Sequence, residues 1–176
     1  IHTIHTGTYG AIAYICNPDK TADGKYVVSN LCVSSPSGAS EQFRNIRQSV
    51  GTGRSRSECQ HIIQSFAPSE VTPERALLIG QELCKALFND EYQYVLAVHC
   101  DHEHIHNHII VNNVNFYTGH TFETEHNQGK IPDRAWSKLR TISDELCRKH
   151  GLSIIENPHL SKGKSHWEWE LDKQSL

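Results

Sequence analysis

The chain contains no methionine and starts on Ile1, so the expectation is that an initiator has been lost and that these 176 residues are a piece of something longer. It also lacks an excess of base. Seventeen Lys and Arg against twenty Asp and Glu give a formal net charge of −3, which argues against wholesale coating of nucleic acid by the whole surface. No apolar run approaches the roughly eighteen residues that a membrane span needs, and no basic-then-apolar secretory segment opens the chain. The expected location is therefore the cytoplasm. There is no C-x-x-C pair. Cys16, Cys32, Cys59, Cys84, Cys100 and Cys147 lie far apart, as reduced and mostly buried thiols do, rather than as a disulfide framework. Internal repeats and low-complexity tracts are missing too, and 37% hydrophobic content is enough for one core.

What is present is patterned. Residues 1–6 alternate apolar and polar as a short strand, and "YGAIAYI", Tyr9 to Ile15, is a helix-like run stopped by the turn cluster "NPDKTADGK". "YVVSNLCVSS", Tyr26 to Ser35, is β-rich, and a short helix is expected around Glu41 to Val50. "CQHIIQSFAP" reads as a strand ended by Pro68. The clearest helix is "VTPERALLIGQELCKALFND", with Thr72 as N-cap, Pro73 in the first helical position and Glu74 at the positive helix end. "YQYVLAVHC", Tyr92 to Cys100, is a strand, a second strand runs on to about Phe116, and another long helix starts near Asp133 and stops at Gly151. The expected class is α+β: an antiparallel sheet of about five strands carrying two main helices on one face. Residues 1–157 form one domain in this reading, with 158–176 a linker or the start of a further region.

Two stretches carry chemistry. From Gln42 to Ser57 there are four arginines, Arg44, Arg47, Arg54 and Arg56, and no acid, a flexible guanidinium-bearing segment suited to phosphate contacts. Between His99 and His108 there are five histidines. His104, His106 and His108 alternate with Ile105 and Asn107, so on a strand they share one face. Neighbouring members sit roughly 7 Å apart and can share an ion, whereas the outer two are about 13 Å apart and cannot easily do so. A third ligand must come from a neighbouring strand, and His99 is the obvious donor. A tight hairpin through Cys100 to Glu103 would give the set His99, His104 and His106. A longer loop through Ile105 would give His99, His106 and His108. Spacing alone leaves both open. Either set leaves coordination positions free for water or substrate, which is the catalytic kind of site.

"HCDHEHIHNHIIVNN" resembles the third motif of the conjugative relaxases, mobilisation nucleases of the histidine-hydrophobic-histidine endonuclease superfamily. "AIAYICNPDKT" is similar to their first motif and "HIIQSFAPSEVTPERALLIGQEL" to their second, in the same order along the chain. The likeness is closest to agrobacterial T-DNA nickase-like relaxases of Gram-positive mobile elements. It implies a relaxase-like palm fold, Tyr14 as nucleophile, Ser65 against DNA beside the nick, and His99, His106 and His108 as metal ligands. It leaves His104 as a proton-handling or phosphate-contacting group and Asp101 as a partner orienting an imidazole. The implied activity is site- and strand-specific nicking of a transfer origin through a 5′-phosphotyrosyl adduct, to initiate conjugative transfer or mobilisation.

The expected working ion is Mn or Mg, with Zn, Ni or Co able to occupy imidazole ligands in purified protein. The expected partners are single-stranded or extruded origin DNA, accessory transfer proteins and a coupling protein. Tyr9, His2 and His5 are competing nucleophiles. The alternatives in function are a rolling-circle initiator or transposase using Tyr117, a metal-dependent hydrolase without a covalent step, and a non-cutting origin-binding module.

Overall fold

A computed structural model of the chain describes residues 1–32, 35–53, 55–126 and 129–155. Arg54 and the 158–176 region lie outside these residues. Five strands form one antiparallel sheet in the order β1-β3-β5-β4-β2: β1 His2–Ile4, β2 Val27–Ser29, β3 Cys59–Ser65, β4 Tyr94–His99 and β5 His106–Asn112. The helices are α1 Thr8–Ile15, α2 Pro36–Ser49, α3 Pro73–Phe88, the short α4 Phe122–His126 and α5 Ala135–Lys149.

Period-two alternation assigns the two sheet faces. Ile62, Leu96, Ile109 and Val111 face α3 and α5, where Leu83, Cys84, Leu87 and Phe88 meet Leu139, Ile142 and Leu146. Cys59, Val95, Ala97 and Ile110 face the other way, onto Ile12 and Ile15 of α1 and Ala39 and Phe43 of α2. The two helices foreseen on one face are there, and α1 and α2 cover the other. The start of α3 is as its sequence dictates: the Thr72 hydroxyl accepts the Arg75 N–H at 3.3 Å, and Pro73 opens the helix.

Three elements differ from the expectation. β2 is only three residues long. α2 begins at Pro36, five residues before Glu41, because the Ser35 hydroxyl caps it by accepting the Gly38 N–H at 3.2 Å. α4 has no counterpart in the sequence reading, since five residues are too few to show a period.

Behind the histidine strand, Asn107 points away from its two histidine neighbours and is fully buried. Its amide Nδ2 donates to Gln64 Oε1 at 2.9 Å and to the Ala76 carbonyl of α3 at 2.7 Å. Gly80 makes room for this tie: a Cβ there would stand 2.7 Å from Asn107 Nδ2 and 3.0 Å from Leu96 Cδ2. Gly80→Ala should therefore lower the melting temperature. Overpacking of roughly 1–3 kcal/mol exceeds the helix-propensity gain of about 1 kcal/mol. A melting temperature that rose would refute the close approach.

Candidate functional site

The loop between β4 and β5 is the longer of the two possibilities, Cys100 to Ile105, and it sets His99 opposite His106. His99, His106 and His108 accordingly occupy one face of two adjacent strands. The ring centroids of His99 and His108 are 4.0 Å apart, and those of His106 and His108 are 6.2 Å apart. His104 lies outside the strand, exposed, with its ring stacked 6.4 Å from that of His106. Ser65 pairs with His106 in the β3–β5 ladder, so the register brings it beside the cluster.

α1 lies across this face and is held at both ends. At its start, Thr8 donates to Glu58 Oε2 through its N–H at 3.1 Å and its hydroxyl at 2.7 Å. Burial raises the Glu58 carboxyl, but the two Thr8 bonds and the Arg47 guanidinium outweigh it and hold the group below its ordinary range. At its end, the Ile15 carbonyl accepts the Nε2–H of His99 at 3.0 Å. Ile12 and Ile15 turn into the core, leaving Tyr14 half exposed on the histidine side. The Tyr14 ring meets His99 edge-on at 5.7 Å and His108 at 6.1 Å. Tyr9 is exposed and, among the described residues, makes no ring contact with a histidine. His5 is turned to Ser57, its Nδ1 3.3 Å from the hydroxyl, and His2 pairs with His61 on β3.

His61 is the residue that reading the sequence missed. Its Nε2 lies 3.0 Å from Nδ1 of His108, so the pair shares one hydrogen and fixes how the His108 ring is turned. The alternation of "HIIQS" put it on the face of Ser65, but only the β3–β5 pairing shows that it reaches His108. Asp101 Oδ2 stands 3.3 Å from Nε2 of His102, so the imidazole it meets belongs to the loop and is not one of the three on the strands.

Burial keeps these histidines neutral. His61 is pushed down to about 4, first by burial and then by the nearby His2 and N-terminus. His108 is pushed down to about 3 by burial and by His99 and His61. His99 and His106 are lowered for the same leading reason. The unfolded chain takes up protons near pH 6.5 while the folded one does not, so it binds more protons below that pH. Stability of the metal-free protein should fall as pH drops from about 6.5 toward 4, by at most roughly 1.4 kcal/mol per pH unit for each group, less for solvent screening. Chemical denaturation at stepped pH measures this, and a flat profile would contradict it.

Neutral imidazoles are the form that ligates a metal. Among the described residues, no three histidine, cysteine or carboxylate groups already close on one point. The donor chemistry nonetheless fits a divalent ion. The bond to Ile15 leaves Nδ1 of His99 free, the contact with His61 leaves Nε2 of His108 free, and His106 stands opposite His99 in register with its ring 6.2 Å from that of His108.

The arginines divide. Arg44 is exposed beside Glu41 at 3.8 Å, and Arg56 is exposed. Arg47 is turned inward, donating to the Glu58 carbonyl at 3.1 Å and to Asn112 Oδ1 at 3.3 Å. Asn112 and His106 are the two ends of β5, roughly 20 Å apart at strand rise, so the arginine segment sits at the far end of the sheet from the histidines. Tyr117 follows Asn112 at that same far end and is largely exposed.

A model of the family described as "Relaxase: MobA/VirD2-like, nuclease domain" matches residues 14–152. The chain is 33% identical over 186 residues to the group II intron-interrupted relaxase LtrB of Lactococcus lactis subsp. cremoris, covering 89% of this chain and 32% of that protein. It is 33% identical over 144 residues to Protein rlx of Staphylococcus aureus, covering 76% of this chain and 41% of that protein. It thus spans about a third of the length of the first relative and about two fifths of the second. A sheet that carries its histidines on one face beneath a tyrosine-bearing helix, joined to these matches, makes the chain a member of the MobA/VirD2-like relaxase nuclease-domain family.

Proposed function

We propose that this chain nicks one strand of origin-of-transfer DNA by transesterification to Tyr14, starting conjugative transfer or mobilisation. The observation that carries the reading is the Tyr14 ring lying against both His99 and His108. In the proposed step the Tyr14 phenolic oxygen forms a bond to phosphorus and the bond from phosphorus to the 3′ oxygen breaks. The phenolic proton leaves to solvent, and the departing oxygen takes one from solvent as a free 3′-OH. One phosphodiester replaces another, so rejoining is the same step run backwards. His99, His106 and His108 would hold a divalent ion, Mn or Mg in function, which when bound supplies Lewis-acid polarisation of the phosphate. Ser65 and His104, beside His106, are suited to contact DNA next to the scissile phosphate; Asp101 steadies the histidine loop through His102.

Nicking would take place in the cytoplasm on single-stranded or extruded DNA, with accessory transfer proteins and a coupling protein as partners. None of the described helices is long and apolar enough to cross a membrane. A rolling-circle arrangement finds no support, because Tyr117 stands at the sheet's far end. The test is incubation with single-stranded origin oligonucleotides and Mn, followed by denaturing electrophoresis. A DNA-linked protein band supports the proposal, and cutting without one would favour hydrolysis.

Arg44 and Arg56, with Arg54, are proposed to supply sequence-independent affinity. Neutralising Arg44 and Arg56 together should weaken binding to all oligonucleotides alike and lower the slope of log affinity against log salt by roughly 0.7 per lost phosphate contact. Arg47→Gln should instead lower thermal stability with less effect on that slope, since its guanidinium is already spent on Glu58 and Asn112. Loss of binding to one sequence only would mean that these arginines read bases.

A further inference from the structure

One cation faces the tyrosine and the proposed reaction does not use it. The Lys20 ammonium lies over the Tyr14 ring, 4.6 Å from its centroid. Among the described residues it has no carboxylate within ion-pair distance, unlike Lys25, Lys85 and Lys149. The backbone that carries it is fixed from two sides. The turn "NPDKT" is closed by the Lys20 N–H on the Asn17 carbonyl at 3.0 Å, the Thr21 hydroxyl on the same carbonyl at 2.9 Å, and the Asp19 N–H on Asn17 Oδ1 at 3.0 Å. The Lys20 carbonyl then accepts the Cys100 N–H at 2.9 Å, which fastens the turn to the residue after His99.

A cation over the ring, with no carboxylate beside it among the described residues, is placed to receive negative charge that arrives later. A phosphodiester and a phenol on its way to phenolate bring that charge. We propose that Lys20 is a further catalytic residue, whose ammonium offsets the negative charge that develops on the Tyr14 oxygen and the scissile phosphate during attack. This rests on the reading of Tyr14 as nucleophile. Lys20 gives up and takes no proton: the oxygen–phosphorus bond forms, the bond to the 3′ oxygen breaks, and the two protons exchange with solvent as above. A preorganised charge is most effective where charge appears only in the transition state.

The experiment compares Lys20→Gln and Lys20→Arg in single-turnover adduct formation with saturating oligonucleotide and Mn. Affinity for the same oligonucleotide is measured separately in a Tyr14→Phe background, where no cutting intervenes. Melting temperatures are recorded for every variant. Lys20→Gln should slow adduct formation roughly 10- to 100-fold. Affinity and melting temperature should change little, and Lys20→Arg should recover most of the rate. An unchanged rate overturns the inference, as does a fall in affinity that accounts for the whole loss, or a loss that tracks a lowered melting temperature in both variants. If the wild-type protein forms no adduct at Tyr14, the reading of the nucleophile fails and the Lys20 inference falls with it. If Lys20→Gln forms that adduct at the wild-type rate, only the Lys20 inference fails.

Discussion

Replacing Tyr14 by phenylalanine should abolish the DNA–protein adduct and cut nicking by on the order of 10⁴-fold or more, the scale seen when a nucleophile is removed from other covalent enzymes. The substitution takes away one oxygen. The ring keeps its edge contacts with His99 and His108, and the residue is half exposed, so little packing is lost. α1 stays in place because its anchors are Thr8 on Glu58 and the Ile15 carbonyl on His99. Melting temperature and metal affinity should therefore match the wild type. Tyr9→Phe should leave most activity intact. Peptide mapping of trapped adduct decides directly: a nucleotide on Tyr9, His2 or His5 would move the nucleophile without disturbing the family, while cutting retained with no adduct on any residue would end the transesterification reading.

His106→Ala should remove both metal binding and nicking. Of the three proposed ligands, His106 is half-buried and forms the link in register between His99 across the hairpin and Ser65 on β3. Losing a ligand should cost more than the roughly 10- to 100-fold that losing an outer hydrogen-bond partner of a ligand costs. Because the ring is not in the core, the metal-free protein should lose no more than about 1 kcal/mol of stability. Titration calorimetry with Mn reads the first effect and thermal unfolding the second. His104→Ala is the comparison: it should keep metal affinity, since His104 projects from the loop and stacks on His106. Metal affinity kept in His106→Ala and lost in His104→Ala would reverse the ligand assignment.

Much of this was legible from residues alone, and the reasons are local. α3 carries its own start and stop in Thr72, Pro73 and Asn89. β4 and β5 are runs of alternating or β-branched residues, which no helix period fits. The hairpin register was not legible, because the polar residues Asp101 to His104 suit a short turn as well as a long one. Only the ladder decides that His99 faces His106. The acid-free arginine run gave composition without direction. Once it is known that α2 runs to Ser49, Arg47 falls on the side facing Glu58 and Asn112, while Arg44 faces solvent. His61 and Lys20 were invisible for a related reason. Each acquires meaning from a contact across dozens of residues, His61 with His108 and the Lys20 carbonyl with Cys100.

The two outermost strands, β1 and β2, have three residues each. An outer strand offers its free backbone groups as a template for another chain, and brevity is one of the ways in which sheets avoid that fate. The three longer strands, with their runs of Val, Ile and Leu, are the segments most prone to stack into fibrils if exposed. Keeping them inside, with only stubs at the margins, lets the protein carry a continuous hydrophobic sheet without presenting a sticky border to its own copies.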